Sequence, residues 1–108
     1  MPSYLLIETR DPFDSSRFMQ HCELAAALVR DGGKVTLFLL ENGVLGARSA
    51  ARLPQFEKLN RLGVPVFADE FALRERGISV AEIVDQVKAV PLSTLVDKLA
   101  TGAKALWN

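Results

Sequence analysis

The sequence predicts an α/β protein of three layers, α/β/α, with a five-stranded parallel sheet at its centre and all of residues 1–108 in one domain. Three observations predict it. Apolar runs alternate with helical stretches along the whole chain. The run "KVTLFLLEN" is apolar almost throughout, as strands covered on both faces are. The lengths of the intervening stretches suit right-handed crossovers between parallel strands.

The elements follow in order. "SYLLIET" reads as the first strand. The helix "DSSRFMQHCELAAALVRDGG" comes next, with Asp14 suited to cap it and Gly32 to end it. "KVTLFLLEN" is the second strand. "ENGVLGARSAAR", Glu41 to Arg52, has two glycines and no clean apolar period, so it reads as a mobile loop with at most a helical turn. "PQFEKLNRLG" has Pro54 near its first turn and Gly63 past its end, the ordinary asymmetry of a helix. "VPVFA" is the third strand, and "EFALRER" a short helix after it. "SVAEIVDQ" carries Ser79 and Glu82 at capping-box spacing and reads as a helix start. "VKAV" is a weak fourth strand, "STLVDKLATG" a helix closed by Gly102, and "AKALW" the last strand. Trp107 is expected to pack on the last helix or on a neighbouring subunit.

Composition excludes several classes. A chain of 108 residues buries roughly two thirds of its unfolded surface, enough for a real core. Lysine plus arginine equal aspartate plus glutamate at 13 each, so the basic excess of a nucleic-acid binder is missing. No apolar run nears the roughly 20 residues that span a bilayer. The N-terminus lacks the basic flank and cleavage site of a signal peptide. Cys22 is the single cysteine, so no intrachain disulfide forms, and a reducing cytoplasm is the expected compartment. One histidine, His21, builds no His-rich metal site. No phosphate loop, nucleotide fingerprint or nucleophile elbow occurs, so no cofactor is expected.

In open parallel sheets, ligands bind beyond the carboxyl ends of the strands. Those ends supply Arg10 and Asp11, then Asn42 and Gly43, then Asp69 and Glu70 with Arg74 one turn on. Asp69 and Glu70 either cap the following helix or serve a site, and the residues alone fit both. Cys22 shares a helix face with Phe18, Ala25 and Val29 and reads as a small buried hydrophobe. His21, at the margin of that face, reads as a semi-buried structural histidine within reach of the rim.

The strand ends "LFLLENGV" and "VFADEFALRERGI", with the closing "GAKALW", resemble the DsrE/DsrF-like family, which includes the TusD-type sulfur-relay subunits. The resemblance runs over nearly the whole chain. It implies a five-stranded parallel sheet and assembly with itself or with related DsrE-like subunits, without membrane or direct nucleic-acid contact. Active members carry a persulfide on a cysteine and pass its sulfur to a partner. Counted back from Arg76–Gly77, that cysteine falls at about Asp69, and a carboxylate holds no persulfide. Three readings stand. The chain is a non-catalytic or divergent subunit with a binding rim. Or its acidic rim is an enzyme site, with Asp69 or Glu70 as base and Arg10 or Arg74 as anion clamp. Or Cys22 carries sulfur in place of the missing cysteine.

Overall fold

The computed structural model describes residues 2–108. Its strands are β1 (Ser3–Glu8), β2 (Lys34–Leu39), β3 (Val66–Asp69), β4 (Val87–Val90) and β5 (Lys104–Trp107). Its helices are α1 (Ser16–Arg30), α2 (Gln55–Arg61), α3 (Glu70–Glu75) and α4 (Ser93–Ala100). The five strands form one sheet in the order β4-β3-β2-β1-β5. Every pairing is parallel, as the near-continuous apolar strands require. Successive connections step outward from β1 to β4. The last then returns across the sheet and lays β5 on the free side of β1.

The pleat divides the core in two. Leu6, Leu37, Leu39, Val66 and Ala68 point to the face covered by α1, α2 and α3. Phe18 and Phe56 meet there edge to face, with centroids 5.9 Å apart. Leu5, Ile7, Phe38 and Val90 point to the other face, where Leu95 of α4 meets them. That second layer is one helix of eight residues. It leaves Leu92, Val96 and Leu99 exposed in a stripe at i, i+4 and i+7.

Several local readings need correction. Ser15, not Asp14, caps α1, its hydroxyl accepting from the Arg17 N–H. The segment after β2 is a 3₁₀ turn, Glu41–Ala47, with Gly43, Val44, Gly46 and Ala47 all buried. It is a packed wall rather than a loose loop. Its glycines are needed for closeness: a Cβ on Gly43 would lie 2.2 Å from the Glu8 carbonyl oxygen. The capping box of Ser79 and Glu82 forms, but on a 3₁₀ turn of three residues. Ile83 then turns extended and bridges Arg48, while the Val84 N–H donates to the Ala47 carbonyl at 2.9 Å. Burying β-branched Ile83 against the 3₁₀ wall wins over continuing a helix. Trp107 is 63% exposed, so the last helix does not bury it.

The Phe18 ring is fully buried between α1 and α2. Phe18→Ala should therefore destabilise the fold by about 3–5 kcal/mol, as a cavity-forming loss of a core aromatic does. Urea unfolding followed by circular dichroism measures this.

Candidate functional site

The carboxyl ends of β1, β2 and β3 share one rim, and three local devices shape it. At the end of β1 the chain makes a tight turn. The Asp11 carboxylate accepts from the Phe13 N–H at 2.9 Å, and the Asp11 carbonyl accepts from the Asp14 N–H at 3.1 Å. At the end of β2, Glu41 sits in the left-handed region at φ 50, a cost of about 1 kcal/mol or more for a residue with a Cβ. The Leu40 N–H bound to the Glu8 carbonyl, at 2.9 Å, and the Gly43 N–H bound to the Leu40 carbonyl, at 2.8 Å, hold that bend. At the end of β3, Asp69 caps α3. Its Oδ1 accepts from the Phe71 N–H at 3.3 Å and its Oδ2 from the Ala72 N–H at 3.2 Å.

A cleft of about 390 Å³ opens on this rim, lined by Thr9, Arg10, Asp11, Asp14, Ser15 and Asn42. Of the residues expected at a site, it brings together Arg10, Asp11 and Asn42. Gly43 lies behind it as the close-contact residue of the wall. Asp69 is buried, its two oxygens engaged as the helix cap, and does not line the cleft. Glu70 opens α3, and Arg74 is exposed away from the cleft. Arg76, which the sequence did not mark as a rim residue, reaches the rim instead. Its Nε and Nη2 donate to Asn42 Oδ1 at 3.2 and 3.1 Å, and its Nη1 donates to the Ala72 carbonyl at 3.2 Å. This fork ties α3 to the end of β2 and fixes the Asn42 amide. The spacing of Asn42 and Arg76, 34 residues apart, gave no signal of it.

Sequence reasoning also missed the carboxylate below the rim. Glu8 is 0% exposed, although it reads as a polar strand end. Its Oε2 accepts from the Arg10 N–H at 2.9 Å and its Oε1 from the Asn108 side-chain amide at 2.8 Å. His21 Nδ1 faces Oε1 at 3.4 Å, a close charge contact without hydrogen-bond alignment. His21 is 7% exposed, deeper than the margin of its helix face suggested.

Cys22 lies where its helical spacing put it, inward and 4% exposed. Burial, and then the charges of Glu8 and Glu23, push its thiol up from 9.0 to about 12. A thiol so placed stays protonated and is a poor nucleophile. It lines a second hollow, of about 320 Å³, between α1 and α2, with Met19, Gln55 and Lys58 among the walls. Among the described residues, no cluster of three or more His, Cys, Asp or Glu side chains is arranged to hold a metal ion. No helix among them is long and apolar enough to cross a membrane.

These features define a parallel α/β/α protein with a polar cleft at its strand ends. The family model described as DsrE/DsrF-like matches residues 3–107, and the chain belongs to that family. Solved structures agree in fold. The ychN protein from E. coli superposes with a TM-score of 0.90 at 22% identity, over 100% of both chains. A protein of unknown function from Methanobacterium thermoautotrophicum gives 0.83 at 18% identity, over 97% of this chain and 96% of that one. One from Bacteroides thetaiotaomicron gives 0.78 at 20% identity, over 98% and 95%. At these identities the likeness concerns the fold alone. No curated protein matches the chain.

Two outcomes follow from this geometry. Asp69→Ala should cost about 0.5–2 kcal/mol through loss of the α3 cap, whereas Asp69→Asn, which keeps an acceptor oxygen, should cost little. Urea midpoints of the two variants measure the difference. The Cys22 thiol gives a pH dependence. The folded state keeps a proton that the unfolded chain releases above its ordinary thiol value of 9.0. The contribution is complete below that value and is lost as pH rises towards about 12. Raising the pH from about 8 to about 10.5 should therefore destabilise the natural protein more than Cys22→Ala, as seen in paired urea titrations.

Proposed function

We propose that this protein is a divergent DsrE/DsrF-like subunit. It assembles with copies of itself or with related subunits, binds a ligand at the strand-end rim, and does not pass sulfur itself. The observation that supports this most is Asp69. It stands at about the place of the family's sulfur-carrying cysteine, and both its oxygens are bound to the α3 backbone. It functions there as a helix cap. The buried thiol of Cys22, raised to about 12, is unsuited to replace the missing nucleophile. An acid–base role for Asp69 finds little support, because the capping bonds occupy its oxygens. The rim that remains for binding is Arg10, Asp11 and Asn42, with Arg76 holding the Asn42 amide.

Assembly is supported by the thin second layer. Leu92, at the start of α4, and Val96 and Leu99 within it are exposed along one stripe. Trp107 pairs in register with Ile7, so it points to the same side of the sheet. Apolar side chains grouped on the face covered by one helix fit an interface better than water. The cytoplasm suits a chain with one unpaired, buried cysteine.

Light scattering at micromolar concentration should give a mass of two or more chains, and Val96→Asp should lower it. A mass of one chain for the natural protein would remove the subunit reading. Incubation with a persulfide donor, followed by mass spectrometry of the intact chain, should show no added sulfur. A stable gain on Cys22 that passes to an acceptor thiol would overturn the non-carrier reading.

A further inference from the structure

A groove of about 470 Å³ runs between α1 and the edge strand β5, apart from the rim cleft. Arg17, Gln20, His21 and Leu24 line it from one face of α1, and Leu106 and Asn108 line it from the other side. It lies against β1 and β5, where the sheet order stops stepping outward and the last connection returns. Such reversals are where open parallel sheets place their ligands.

The chemistry of the groove comes from what stands behind it. Glu8 is fully buried, and a buried carboxylate needs donors or a positive partner. It has the Arg10 N–H and the Asn108 amide, and Nδ1 of His21 lies 3.4 Å from Oε1. Nδ1 is thus the ring nitrogen turned towards the carboxyl group, and a proton there would suit that oxygen better than a lone pair. The imidazole then presents Nε2 as an acceptor when neutral and as a donor when charged. Asn108 is itself fixed. Its amide donates to Glu8 Oε1 and to the Arg17 carbonyl at 2.9 Å. Its backbone N–H donates to the Ile7 carbonyl at 2.9 Å, and its carbonyl accepts from the Thr9 N–H and hydroxyl at 2.8 and 2.7 Å. His21 is thus backed by Glu8 alone, and Glu8 is clamped from three sides. The Arg17 guanidinium is exposed and makes no ion pair among the described residues. Leu24 and Leu106 offer apolar wall beside it.

We propose that this groove is a second ligand site, for a small phosphomonoester with an apolar body. Arg17 pairs with the phosphoryl oxygens. His21 Nε2 accepts from the phosphate O–H or, once protonated, donates to its oxygen. Leu24 and Leu106 hold the apolar part. Glu8 is a positioning residue, which sets the histidine tautomer and keeps the ring aimed outward. A phosphate group suits this pair because it offers an O–H and a negative oxygen on the same centre, and a bare guanidinium prefers planar or bidentate oxyanions.

His21 is the chain's single histidine, so its ring nitrogens give one unambiguous set of nitrogen resonances. In the natural protein at alkaline pH, those shifts should report a protonated Nδ1 and a lone pair on Nε2. At about pH 6, where a phosphomonoester still holds an O–H in part, adding phenyl phosphate should move them saturably within about 10 mM, and inorganic phosphate should do so more weakly. Arg17→Gln should weaken phenyl phosphate at least about tenfold, the effect of losing a charge-assisted hydrogen bond. Glu8→Gln should abolish the tautomer preference. The proposal is overturned by an Nε2–H tautomer in the natural protein. It is equally overturned by shifts that stay fixed with both probes, or by phenyl phosphate binding that ignores Arg17→Gln. The tautomer and titration are read on the natural chain, so neither depends on a variant folding.

Discussion

The fold turns on one buried carboxylate. Glu8 ends β1, a strand with neighbours on both sides that also begins the chain's first crossover. It has no water and must be satisfied from within. The donors it recruits come from three places: the turn after β1, α1, and the residue following β5. Its own carbonyl accepts the Leu40 N–H and so sets the exit of β2. Removing one donor would leave a buried charge short of a partner, a loss far larger than a surface hydrogen bond. The register of β5 on β1, the lean of α1 and the bend at Glu41 all meet at this group.

The asymmetry of the two layers follows from connection direction, since right-handed crossovers that step one way put their helices on one face. Three outward crossovers each bring apolar side chains to one face, which therefore holds the larger core. The return to β5 brings only α4 to the other face, with Leu95 as its buried anchor. Lys98 lies over the Phe67 ring at 5.9 Å and shields part of that thinner layer. Leu92, Val96 and Leu99 stay outside because no second helix stands beside them. The apolar content of α4 makes sense if its outer stripe meets another chain. The same thin layer leaves Trp107 bare within the chain.

At the end of β3 the rim is shaped by a helix start. "VFADEFALRERG" ends a buried strand and starts a helix, with the aspartate at the joint. Backbone N–H groups at a helix start would favour a thiolate as readily as a carboxylate. With Asp69 the same electrostatics hold a cap, and two hydrogen bonds use the oxygens. The polar side chains that line the cleft, Arg10, Asp11 and Asn42, come instead from beyond the β1 and β2 ends.

The sequence by itself determined the strand and helix alternation, the parallel sheet, the family and the inward face of Cys22. Each is encoded locally, in apolar runs of strand length, in glycines past helix ends, and in helical spacing. It also placed Asp69 at a strand end and left capping and function equal. Only the tertiary structure showed the cap, because that depends on which N–H groups lie opposite the carboxylate. It alone made Glu8 a core residue: the side chain is polar, and its partner Asn108 lies 100 positions away. It alone chose Arg76 over Arg74 for the rim, since α3 turns one outward and the other towards Asn42. It turned the segment from Glu41 to Ala47 from an expected loop into a wall, because Gly43 and Gly46 let the backbone close on β1 and Phe18. Contacts between distant segments leave no periodicity in the chain, so the fold was legible in the sequence while the arrangement of its polar groups was not.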